Sequence, residues 1–116
     1  LVFETFDLAV KKYPDAHPLF HSDRGFQYTS KLFKAKLDKQ GMEQSMSRVG
    51  RCIDNGPMEG FWGILKCEMY YLNQFETYEK LASAVEQFIY YYNHQRRQHK
   101  LNCLPPATYR SLLEAA

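Results

Sequence analysis

The chain has 116 residues, of which 45% are hydrophobic, 24% charged and 16% aromatic, and its formal net charge is +2. This size and composition are typical of one folded domain and exclude an intrinsically disordered chain. No apolar run approaches the ~18 residues of a membrane span, so we expect no membrane partner. The three cysteines, Cys52, Cys67 and Cys103, are too few and too far apart for a disulfide framework or a CxxC zinc pair.

The beginning of the chain predicts a helix followed by a strand. Apolar residues recur at helical spacing over residues 2–13, and Pro14 ends the run. Residues 18–23 form a short apolar run that predicts a buried strand. Because the helix presents an apolar face from its first residue, we expect the chain to begin inside a larger domain.

The next segment predicts a second helix and a second strand. Ser30 is placed to cap a helix that extends to about Gln40. Gly41 stands at the position after the helix where a left-handed conformation is favoured. Residues 42–47 predict a strand, and a polar, basic loop follows.

The second half of the chain is predicted to be helical. Asp54 or Asn55 is placed to cap a long helix whose apolar residues follow one stripe. That stripe consists of Met58, Phe61, Trp62, Leu65, Met69 and Leu72. Further helices are predicted over 78–93 and, after a Pro-Pro pair, over 107–115.

This order of elements predicts an α/β fold. A two-stranded sheet is marginal by itself, so further strands must come from an upstream segment or a partner chain. We therefore expect either a homo-oligomer or a larger domain.

Two carboxylates are candidates for chemistry. Asp23 follows the first strand, where open α/β sheets bind ligands, but an aspartate that opens a turn fits the same position. Glu59 lies in the first turns of the long helix, where a carboxylate also interacts favourably with the helix N-terminus. Glu59, Gly63 and Lys66 fall in one row along this helix, which either binds a ligand or is a solvated face.

The spacing of these residues is more specific than any one of them. Thirty-five residues separate Asp23 from Glu59, and Lys66 follows seven positions after Glu59. In this spacing the chain resembles the catalytic core of retroviral-type integrases and of bacterial insertion-sequence transposases that use an Asp-Asp-Glu triad. Three segments carry the resemblance, in the family's order: HSDRGFQYTS, QSMSRVGRCIDNGPMEGFWGILKCE and YYNHQRRQHKLNCLPPATY. Three matching segments in the right order are much less expected by chance than a single short motif.

The resemblance implies an RNase H-like fold and DNA cleavage and strand transfer with Mg²⁺, for which Mn²⁺ can substitute. Carboxylate oxygens are hard ligands that suit Mg²⁺, and two such ions suit an in-line displacement at phosphorus. The resemblance makes Asp23 and Glu59 metal ligands and catalytic residues. It also makes Lys66 a catalytic residue, in contact with the phosphate backbone or with terminal bases near the cut.

Three further residues are predicted near the active site. Gln27 and Tyr28 match family positions that support the site or position DNA. His21 precedes Asp23 by two residues and either orients a carboxylate or a water, or is a histidine packed in the strand.

The implied partner is DNA, both the ends of an insertion element and its target. The chain has two small basic groups, one formed by Arg48 and Arg51 and the other by Arg96, Arg97, His99 and Lys100. Phosphate contacts suit both groups, and a solvated helix end that favours cations is the alternative for the second one. The predicted DNA-binding residues are Arg48, Arg51, Asn55, Lys66, Arg96, Arg97 and Lys100.

One departure from the family pattern affects the expected activity. The family's first catalytic Asp lies on the first strand of the core, and no position here matches it. We therefore expect a single domain, with the core over 1–72 and a helical extension over 73–116. We expect this core to be truncated before its first three strands and inactive alone.

The parent protein is expected to be a transposase in the bacterial cytoplasm, associated with the nucleoid when bound to DNA. Two alternatives stay open. One is an inactive remnant that binds DNA or multimerises. The other is an RNase H-like nuclease that hydrolyses DNA without joining it.

Overall fold

The chain forms two compact units. A computed structural model describes all 116 residues and divides them into Leu1–Glu59 and Gly60–Ala116. The two units divide after Glu59, within a helix. The boundary at residue 72 between a core and a helical extension stays a prediction. No helix of the chain combines the length and the apolar character that crossing a bilayer requires.

The first unit contains a small parallel sheet and its connecting helices. In chain order its elements are α1 (Val2–Lys12), β1 (Phe20–Ser22), α2 (Phe26–Thr29), α3 (Lys31–Lys39), β2 (Gln44–Met46), a 3₁₀ turn (Cys52–Asn55) and the start of α4 (Gly56–Leu65). β1 and β2 pair in parallel, with His21 opposite Ser45. Parallel pairing requires a crossover connection, which α2 and α3 supply. The predicted order of helices and strands is confirmed, and the short helix α2 is an addition to it.

Aromatic residues form the core of this unit. The side chains of Phe33 and Leu37 are fully buried. The Phe33 ring is surrounded by the rings of Phe3, Phe6, Phe20 and Tyr28, at centroid distances between 5.3 and 5.6 Å. These contacts hold α1 and α3 against β1, the strand that leads into Asp23.

The ends of α3 follow the sequence prediction. Ser30 Oγ accepts a hydrogen bond from the Phe33 backbone N–H at 3.2 Å, which caps the helix. Gly41 has a φ of +65°, a backbone conformation that residues other than glycine rarely adopt. Both predictions are confirmed.

The second unit is helical. It contains the end of α4, a π-helical turn (Lys66–Tyr70), α5 (Tyr78–His94), a 3₁₀ turn (His99–Leu101) and α6 (Pro106–Ala115). Leu65, Met69 and Phe88 are its buried core, and α6 packs against α5. The helices predicted over 78–93 and 107–115 are confirmed.

The apolar stripe of the long helix departs from its prediction at Met58 and Trp62, which are 48% and 43% exposed, and at Leu72. The Tyr71 N–H donates to the Lys66 carbonyl at 2.9 Å, the five-residue spacing of a π turn. The helix ends with this turn at Tyr70, so Leu72 lies beyond it. Leu72 is consequently 73% exposed, so its predicted place in the buried stripe is wrong.

Candidate active site

Asp23 lies at the end of β1, in a tight turn. Its Oδ1 accepts a hydrogen bond from the Gly25 N–H at 2.9 Å, so the aspartate does open a turn. A Cβ atom at Gly25 would lie 3.0 Å from Asp23 Oδ1 and 3.3 Å from Tyr28 Cδ2. The glycine therefore permits the close approach of backbone and carboxylate. The Asp23 side chain is exposed and accepts no other hydrogen bond from the protein.

Glu59 lies in the first turns of α4 and shares a cavity with Asp23. The cavity has a volume of about 520 Å³, and both carboxylates line it. The other residues that line it are Arg24, Ser47, Arg48, Val49, Gly50, Arg51, Cys52 and Asn55. The fold of the first unit thus brings together two acids that are far apart in the sequence.

The loop between β2 and α4 forms most of the cavity wall. The Asp54 carboxylate accepts three hydrogen bonds from Arg48: from the backbone N–H at 2.9 Å, from Nε at 2.9 Å and from Nη2 at 2.8 Å. The Arg48 guanidinium holds the pKa of the Asp54 carboxyl far below its usual range. The predicted helix cap at Asp54 or Asn55 is therefore wrong, because the Asp54 carboxylate binds Arg48 and Asn55 makes no side-chain hydrogen bond.

Arg24 is a cavity residue that the sequence analysis missed. Its Nε donates a hydrogen bond to the Ser47 carbonyl at 2.8 Å, and its side chain lines the cavity. The only sequence signal was its position directly after Asp23. A turn residue next to a candidate ligand could have been considered on that ground.

The three residues predicted to support the site do not line the cavity. His21 is exposed, and its Nδ1 and Nε2 lie 3.0 and 3.4 Å from the hydroxyl oxygens of Ser45 and Ser47. The alternative of a packed strand histidine is therefore wrong. Gln27 is exposed, whereas the ring of Tyr28 belongs to the aromatic core.

The predicted DNA-binding residues of the first unit differ in whether they form an ion pair. Arg51 and Asn55 line the cavity, and Arg51 forms no ion pair. Arg48 also lines it, but its guanidinium is paired with Asp54.

The cations of the second unit differ in the same way. Arg96 donates to Glu68 from Nε at 2.9 Å and from Nη2 at 2.6 Å, and its guanidinium lies 5.7 Å from the Tyr92 ring centre. The hydrogen bonds from the Arg96 guanidinium lower the pKa of the Glu68 carboxyl. Lys66, Arg97 and Lys100 are exposed and form no ion pair.

The donor set of the cavity suits a hard cation. No group of three or more His, Cys, Asp or Glu side chains is placed to hold a metal ion. Asp23 and Glu59 nevertheless supply two carboxylates to one cavity. Mg²⁺ in phosphate-processing sites is bound by one or two carboxylates together with waters and substrate phosphates, so this pair fits it.

Comparison with known proteins relates the chain to transposases. Residues 59–112 match the family model of the Integrase core domain. A transposase-like protein of Haemophilus influenzae is 46% identical over 103 residues, which are 89% of this chain and 48% of the relative. A 31 kDa protein of insertion element IS600 from Shigella sonnei is 40% identical over 98 residues, 84% of this chain and 36% of that protein.

A third relative is named for its activity. The transposase for insertion sequence element IS904 of Lactococcus lactis is 35% identical over 89 residues, 77% of this chain and 35% of its own length. The chain therefore spans half or less of the length of these three relatives.

Proposed function

Because this chain belongs to the integrase-like transposases of bacterial insertion sequences, we propose that it forms part of a catalytic core for DNA cleavage and strand transfer. The observation that carries the proposal is the shared cavity of Asp23 and Glu59. The family implies an RNase H-like fold, and the parallel pair β1–β2 with its helices agrees with part of one. Further strands, from an upstream segment, would complete the sheet.

Asp23 and Glu59 would hold Mg²⁺, with Mn²⁺ as a substitute. Such ions, when bound, activate an attacking oxygen and stabilise a leaving one. Asp23 has one carboxylate oxygen free of hydrogen bonds, and Glu59 has two. The role of this chain is therefore to present negatively charged oxygens to the cavity and to keep them in place.

Cations of both units would bind the DNA backbone. Arg24 and Arg51 line the cavity without a carboxylate partner, which favours them for phosphate contacts. In the second unit Lys66, Arg97 and Lys100 are free for the same role. Arg96 is less suited, because Glu68 already occupies its guanidinium. Such contacts would weaken steeply as salt rises, and we propose that they act at the nucleoid.

The function can be tested in a chimera. The segment of the IS904 transposase that aligns with this chain is replaced by this chain, and the product is purified. Labelled DNA with the ends of the element and a target plasmid are added with Mg²⁺. We expect cleaved and joined products, and a loss of more than about a hundredfold in Glu59→Gln, since metal stabilisation supplies several kcal/mol. DNA binding in a gel shift should be unchanged.

Glu86→Gln is the matched control, because Glu86 is an exposed glutamate on α5 without an ion pair. Cleavage by Glu59→Gln at the rate of the unmutated chimera would overturn the proposal. Cleavage without joining would favour the nuclease alternative. DNA binding without cleavage, while the unmodified IS904 transposase cuts, would favour the inactive remnant.

A further inference from the structure

The loop that precedes α4 is closed by its own side chains. Arg48 and Asp54 stand six positions apart and are joined by all three hydrogen bonds that the Asp54 carboxylate accepts. Two of them form a bidentate pair with the guanidinium, the strongest type of side-chain pairing between these groups. The Asp54 side chain is only 20% exposed, and it lies two residues before the start of α4. The pair therefore ties the end of the loop to its beginning.

The beginning of this loop is in turn fastened to β1. The Ser47 N–H donates to the Ser22 carbonyl at 3.0 Å, and the Arg24 Nε donates to the Ser47 carbonyl at 2.8 Å. Ser22 and Arg24 are the chain neighbours of Asp23. Hydrogen bonds thus join both chain neighbours of Asp23 to Ser47, and the pair of Arg48 and Asp54 joins the residue after Ser47 to the segment that leads into α4.

We propose that Arg48 and Asp54 are a positioning pair, which holds the start of α4 so that Glu59 faces the cavity of Asp23. This inference rests on the proposed function, in which the two carboxylates hold a divalent metal ion. It gives Arg48 a different role from the phosphate contact expected from the sequence. The pair does not touch the metal and acts only through the geometry of the loop and helix.

Long-range electrostatics would affect the metal site in another way. Loss of the negative charge at Asp54 would weaken binding of a cation in the cavity, and loss of the positive charge at Arg48 would strengthen it. Positioning requires the same sign from both changes, because either one opens the loop. The direction of the effect at Arg48 therefore separates the two explanations.

The test is a Mn²⁺ titration of the complete 116-residue chain, followed by the paramagnetic broadening of its amide signals. We expect broadening near Asp23 and Glu59. Asp54→Asn and Arg48→Gln should each raise the Kd about tenfold, the scale at which loss of supporting groups weakens a metal site. The double variant should bind no more weakly than either single one. Asp38→Asn, which breaks the Lys34–Asp38 pair on α3, is the matched control and should leave the Kd unchanged.

Tighter Mn²⁺ binding by Arg48→Gln, or an unchanged Kd in either single variant, would overturn the inference. A second measurement needs no metal. The ¹⁵N order parameters of residues 56–59 should fall from about 0.85 to below about 0.6 in both variants but not in Asp38→Asn. Unchanged order parameters would also overturn the inference. Unbroadened signals around Asp23 and Glu59 in the unmutated chain would instead refute the proposed metal site.

Discussion

Replacing Phe33 by alanine should remove most of the stability of the first unit. The side chain is 0% exposed, and four aromatic rings surround it within 5.6 Å. Truncation of a buried Phe to Ala costs about 3–5 kcal/mol, and aromatic pairs contribute about 0.5–1.5 kcal/mol each beyond burial. Rigid rings collapse poorly into a cavity, so we expect about 4–5 kcal/mol. A unit the size of Leu1–Glu59 is stable by about 3–9 kcal/mol.

Leu32→Ala is the matched control for this prediction. Leu32 precedes Phe33 on the same helix but is 71% exposed, so its truncation should change the stability by less than about 0.5 kcal/mol. Urea unfolding followed through the amide signals of β1 and α3 measures both variants in the same unit. Equal losses of stability in the two variants would refute the view that the aromatic cluster holds α3 against β1.

Three further predictions concern the carboxylates, the ion pairs and the sheet edges. Gly25→Ala should weaken Mn²⁺ binding severalfold, because the new Cβ would lie 3.0 Å from Asp23 Oδ1. Gly60→Ala is the control and should leave binding unchanged, because no atom lies within 4 Å of its Cβ. Equal affinities of the two variants for Mn²⁺ would contradict this prediction. The pKa of the Glu68 carboxyl is lowered, so its pairing with Arg96 stabilises the chain above the ordinary Glu pKa of about 4.3, and this contribution is lost as the pH falls through the lowered value. The difference in urea midpoint between the unmutated chain and Glu68→Gln should therefore become smaller in acid. A difference that becomes larger in acid would contradict this prediction. A two-stranded sheet has two outer edges, so we expect this chain to associate at micromolar concentration; a stable monomer by light scattering would count against that.

The elements of the fold were predictable where local rules decide them. The cap at Ser30 and the left-handed Gly41 depend only on neighbouring residues, and both were predicted correctly. The Pro-Pro pair likewise marked the start of α6. The π turn at Lys66 was not predictable, because the periodicity of the apolar stripe continues through it.

The candidate site divides in the same way. The spacing of Asp23, Glu59 and Lys66 identified the family, and the two acids do line one cavity. The role of Asp54 was misassigned, since an Asp before a helix usually caps it, and here the guanidinium of Arg48 competes successfully for the carboxylate. Arg24 was missed because its orientation depends on the Ser47 carbonyl of the neighbouring strand's end.

The sequence by itself determined the family and the order of helices and strands, and it singled out the carboxylates that we propose as metal ligands. These follow from residue type and spacing, which tertiary contacts do not alter. Only the tertiary structure decided which charges are free. Arg48 and Arg96 are both engaged by carboxylates, whereas Arg51 is not. Ion pairs of this kind depend on how loops close and helices pack, and no local pattern in the chain specifies that.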